Sequence, residues 1–152
     1  IIPGSSHWPR FARNLSEQYE ARLALVRVEA SPSVLLSGME GSHLPIVVAH
    51  GEGCAQFADA ARCEALESSG LVSLRFIEND LQVASTYPAN PNGSDFNAAM
   101  LCSDDGRHLV MMPHLERSTF PWNWAHYPNE RVDQVSPWIT AFENAKRWLY
   151  RK

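Results

Sequence analysis

The chain reads as an α/β domain, a mixed sheet with hairpins and flanking helices, and three observations predict it. Strand-like apolar patterns occupy residues 20–29 and 44–50, an Asp-Gly turn at 105–106 joins two further apolar runs, and residues 58–69 and 137–149 carry helix-type patterns.

Taken in order, Ile2-Pro3-Gly4-Ser5-Ser6 has the punctuation of a turn. In EARLALVRVE, residues 20–29, Leu23, Leu25 and Arg27 alternate with Ala24, Val26 and Val28, which predicts a strand with one face more buried than the other. Ser31-Pro32 sets a capping hydroxyl before a proline and Gly38 offers a stop, so a short helical turn is predicted over 32–37. LPIVVAH, residues 44–50, is a continuous apolar run of the buried-strand type, and it delivers His50, Gly51, Glu52 and Gly53 to its end.

Ala58 to Ser69 is rich in helix formers, with Cys63 and Leu66 on one face and Gly70 placed to end the helix. Leu71–Ile77 and Leu81–Tyr87 flank the polar turn Glu78-Asn79-Asp80 as a hairpin, and Pro88 to Ser94 is turn chemistry. A second hairpin pairs Phe96–Ser103 with Arg107–Met112 around Asp104-Asp105-Gly106. Pro113 then opens a loop carrying His114 and Glu116. Ser136-Pro137 starts a last helix in which Trp138, Phe142, Ala145 and Leu149 recur at helical spacing.

At 152 residues, with 45% hydrophobic and 20% charged side chains, the chain is long enough to bury one core and suits a single domain over 1–152. A net charge of -4 without any basic run argues against nucleic acid as a partner. No apolar stretch reaches membrane-span length and no signal-peptide pattern opens the chain, so no membrane partner and a cytoplasmic location are expected. Cys54, Cys63 and Cys102 are odd in number and lack CxxC spacing, which fits buried, reduced thiols. Because the sequence opens on Ile1 and not Met, a preceding segment is expected.

His114-Leu115-Glu116 follows an apolar strand, and residues two apart in extended backbone point the same way. A carboxylate on Nδ1–H fixes the tautomer and leaves Nε2 free to move a proton. Spacing alone leaves open a plain surface pair, and His50 with Glu52 repeats the pattern, where a structural or positioning role is favoured. The four side chains together could also be read as metal ligands, although no spacing unites them, and no metal or cofactor is assigned to this chain. Cys54 is rejected as an elbow nucleophile because the positions two either side of it hold Glu52 and Gln56, where small residues are needed. Phe120 to Tyr127 is an aromatic-rich packing or docking stretch, and Asn90-Pro91-Asn92-Gly93-Ser94 is a structural turn without the lysine of a phosphate loop.

In order, IPGSSHWPRF, SPSVLLSGMEGSHLPIVVAHGEG, TYPANPNGS, GRHLVMMPHLERS and SPWITAFENAKRWL resemble the closing segments of the large phosphoribosylformylglycinamidine synthase family, nearly end to end. The resemblance implies the C-terminal part of a class I, flavodoxin-like glutamine amidotransferase domain whose N-terminal half, with the nucleophile elbow, lies upstream. It implies His114 as general base and acid, Glu116 as its orienting carboxylate, and glutamine as substrate. It further implies synthetase domains of the same polypeptide as partners, with ATP and magnesium belonging to them. The chain alone is then expected to be inactive and to self-associate. Two departures are Leu115, where many relatives have proline, and Cys54, where arginine is frequent. A non-catalytic interaction module and a metal-dependent hydrolase are the competing expectations.

Overall fold

A computed structural model describes residues 2–151. The strands are β1 (Arg10–Arg13), β2 (Glu20–Val28), β3 (His43–His50), β4 (Glu52–Gln56), β5 (Val72–Phe76), β6 (Ala98–Cys102) and β7 (Leu109–Met111); the helices are α1 (Ala60–Ser68) and α2 (Ile139–Tyr150). One sheet has the order β3-β2-β5-β6-β7, and β1 pairs with β4 in a separate ribbon. The α/β class is as expected. Where a mixed sheet was expected, every ladder among the described residues is antiparallel. Between β6 and β7 only residues 103–108 intervene, too few for the crossover of a dozen or more residues that a parallel pair needs.

β2 follows its alternation: Ala24, Val26 and Val28 are buried in the core with Ile46, Val48, Leu74, Phe76, Met100 and Trp138. In β3 the apolar run does not mean burial on both faces. Leu44, Ile46, Val48 and His50 point inward while the residues between are partly exposed, so β3, like its neighbour β2, is covered on one face only. The loop after β7 covers the β3 end of the sheet order, with an isolated bridge from His114 to Val47.

α1 starts at Asp59, whose side chain accepts the Arg62 N–H at 2.8 Å. Its Leu66 packs with Leu71, Val72 and Leu101 in a smaller second cluster. The expected hairpin arm 81–87 forms only the bridge Ile77–Val83, since β5 is already paired to β2 on one side and β6 on the other. Leu81 and Val83 remain exposed. The second hairpin forms as expected, with shorter strands than the 96–103 and 107–112 expected, and it sets Met100 opposite Met111 and Cys102 opposite Leu109.

No helix forms over 32–37; residues 34–38 make a turn. Val34 N–H donates to the Gly106 carbonyl at 3.0 Å, so the segment is tied to the β6–β7 turn. A Cβ on Gly106 would sit 1.8 Å from the Pro32 carbonyl oxygen, and its φ of +67° also requires glycine.

The burial of α2 departs from the expected stripe. Trp138 is fully buried and its Nε1 donates to the Pro45 carbonyl at 2.7 Å, but Phe142 and Leu149 are exposed. The inward face runs through Ala141 and Asn144, and Asn144 Nδ2 donates to the carbonyls of Leu35 and Ser37 at 2.9 and 2.7 Å. Among the described residues no helix is long and apolar enough to cross a membrane.

Candidate active site

Beyond β7, Met112 and Pro113 carry the chain alongside the middle of β3, where His114 N–H donates to the Val47 carbonyl at 2.7 Å. Ser118 closes the loop: its hydroxyl donates to the His114 carbonyl at 2.9 Å and accepts the Val47 N–H at 3.0 Å. Leu115 is buried, so it anchors the loop while its neighbours face outward. His114 Nδ1 meets Glu116 Oε1 at 2.9 Å. The expected pair therefore exists, although a turn rather than an extended strand brings it together.

An ionised carboxylate only accepts, so the geometry places a proton on Nδ1, and in the neutral imidazole Nε2 then keeps its lone pair. The side chains are 31% and 61% exposed, so as a salt bridge the pair adds little stability. What it supplies is orientation of the imidazole.

His50, the last residue of β3, is buried and is not hydrogen-bonded to Glu52 among the described residues. Its Nδ1–H donates to the Met112 carbonyl at 3.2 Å, and Asn92 Nδ2 donates to its Nε2 at 3.2 Å. Burial holds the His50 imidazole below its ordinary value of 6.5; the Met112 carbonyl opposes this, nearby His114 adds to it, and Glu20 opposes it. Asn14 Nδ2 donates to the His50 carbonyl at 2.7 Å.

The 90–94 segment, expected to be a structural turn, is the frame around His50. Asn90, Asn92 and Ser94 are all buried. Asn92 Nδ2 also donates to the Gly53 carbonyl at 2.8 Å, and the Ser94 hydroxyl accepts the Ala55 N–H at 3.0 Å. On its outer side the segment borders a cavity of about 810 Å³, whose lining includes Leu15, Tyr87, Phe96 and Asn97 but neither His114 nor Glu116.

The three thiols are buried. Burial raises all of them, Cys63 to about 11. Cys54 lies within β4, where its thiol donates to the Gly93 carbonyl at 3.3 Å. A thiol kept protonated is a poor nucleophile at neutral pH. Among the described residues, no three His, Cys, Asp or Glu side chains gather as a metal-ligating set. The aromatic stretch divides: Trp124 Nε1 donates to the Ser118 carbonyl at 2.9 Å, while Trp122 is mostly exposed and stacks on Phe120 with ring centroids 4.4 Å apart.

Sequence reasoning did not single out Ser118 or Asn14, and it gave Asn92 and Ser94 no part beside a histidine. Small polar residues in loops carry no periodic signal.

A sequence model of the CobB/CobQ-like glutamine amidotransferase domain matches residues 1–149. The solved structure of PurLQS from Thermotoga maritima is similar in fold, with a TM-score of 0.62 at 21% identity. That match covers 93% of this chain and 53% of the other, so the chain spans about half the length of that protein.

Proposed function

The chain belongs to the CobB/CobQ-like glutamine amidotransferase family, and from that premise we propose that it supplies the proton-transfer half of a glutaminase site, with His114 as general base and acid and Glu116 as its orienting carboxylate. The observation that carries this reading is the 2.9 Å contact from Nδ1 to Oε1, which leaves Nε2 available.

In this reading a cysteine outside residues 1–152 is the nucleophile, since burial disfavours the thiolate at Cys54, Cys63 and Cys102. His114 Nε2 accepts the thiol proton as sulfur attacks the glutamine side-chain amide. The proton passes to the departing nitrogen, ammonia leaves, and a glutamyl thioester remains. Water, deprotonated by His114, then attacks the thioester and releases glutamate and the free thiol.

We further read the parent as a phosphoribosylformylglycinamidine synthase, on the strength of the ordered segments from IPGSSHWPRF to SPWITAFENAKRWL. Residues 1–152 are then the C-terminal part of its glutaminase domain. Ammonia would pass to synthetase domains of the same polypeptide, which convert formylglycinamide ribonucleotide to its amidine in the cytoplasm. ATP and magnesium are assigned to those domains, as the resemblance implies.

Glutamate release from glutamine tests the reading. The isolated chain should show none and the parent should show turnover. Turnover by the isolated chain would place the nucleophile among Cys54, Cys63 and Cys102 and overturn this assignment.

A further inference from the structure

We propose that His50 is a positioning residue that fixes His114 by holding the Met112 carbonyl; its relevance to turnover rests on the reading of His114 as the base. The roles of both ring nitrogens are forced. Asn92 Oδ1 accepts from Ser94 N–H at 3.0 Å and from the Ser94 hydroxyl at 2.7 Å, so the Asn92 amide nitrogen must face His50 Nε2 and the Gly53 carbonyl. A donor there leaves Nε2 as acceptor. The proton is therefore on Nδ1, where the Met112 carbonyl accepts it.

Met112 is two residues before His114, and Pro113 between them has a fixed φ. The next anchor along the chain is the His114 N–H on Val47. Thus His50 and Val47, three apart on β3, hold both ends of Met112-Pro113-His114. With Met112 released, His114 keeps its contacts to Val47, Ser118 and Glu116 but loses the fixed approach through Pro113 on its N-terminal side, so its ring position is no longer set from both ends. The His50 ring is itself fixed, because it sits against Gly53, where a Cβ would come within 2.3 Å of Nε2.

Two substitutions separate the links of His50. An asparagine amide can replace Nδ1–H toward Met112, and a glutamine amide can replace Nε2 toward Asn92. In the full chain labelled with 15N-histidine, His50→Gln should change the His114 ring shifts toward those of a rotating, unpaired imidazole, and His50→Asn should leave them native. The reverse order, or no change with either, overturns the proposal. Should neither variant fold, the unsubstituted chain still decides: a trans-hydrogen-bond coupling from His50 Nδ1 to the Met112 carbonyl carbon supports it, and its absence refutes it. In the parent, His50→Gln should lower kcat for glutamine on the order of 10- to 100-fold with KM little changed, and His50→Asn should restore it. Displaced ring shifts with undiminished turnover would leave the positioning intact and count against His114 as the base.

Discussion

Val47 and His114 are joined by a backbone hydrogen bond of 2.7 Å, and the Ser118 hydroxyl bridges the same two residues through the Val47 N–H and the His114 carbonyl. This small ring of contacts fastens the loop that carries the imidazole to the open end of the sheet.

Ser118→Ala removes both bridging bonds from a fully buried position. A stranded backbone group costs roughly 1–3 kcal/mol, so urea denaturation should show a loss of that order with the slope unchanged. A variant as stable as the native chain would mean that the bridge contributes nothing.

Gly53→Ala should be destabilising by about 1–3 kcal/mol, as overpacking of a filled site usually is. The new methyl would lie 2.3 Å from His50 Nε2 and 2.5 Å from Cδ2, so the ring must leave its seat. Thermal melting measures the loss, and the His50 Nδ1 proton should exchange faster with solvent. Unchanged melting would show that the ring yields at no cost.

Legibility in the sequence followed burial. β2 could be read because its two faces differ, and the β6–β7 hairpin because Asp105-Gly106 supplies its turn. β1 and β4 escaped notice, being four and five residues long and paired to each other far along the chain. The inward face of α2 includes Asn144, a polar residue whose amide caps two carbonyls, so the apolar pattern pointed to Phe142 and Leu149 instead. At the site, the His114–Glu116 pairing was legible from two letters separated by one residue. The buried ring of Asn14, Asn92 and Ser94 about His50 was not, because it depends on contacts between residues 36 to 42 positions apart.

The lowered pKa of His50 makes a prediction about pH. Burial and His114 depress it, while Glu20 and the Met112 carbonyl act against them. The unfolded state then binds a proton near 6.5 that the folded state refuses, so folding stability should fall as pH drops through 6.5 and level off below the folded value. Asp105, held well below its ordinary 3.8 by Ser103 and Arg107, adds its loss only at more acidic pH. Melting temperature followed downward from neutrality should decline, and His50→Gln should flatten the upper part of that decline. A flat native profile would contradict a buried neutral His50.

Ammonia rescue in the parent polypeptide tests the central claim most directly. His114→Ala should abolish glutamine-supported amidine formation by a factor of roughly 10² or more, the usual contribution of a general acid–base group. Ammonium supplied externally enters after the glutaminase step, so ammonia-supported, ATP-dependent synthesis should continue at the native rate. If both activities fall together, His114 is a structural residue and its assignment as the base is wrong.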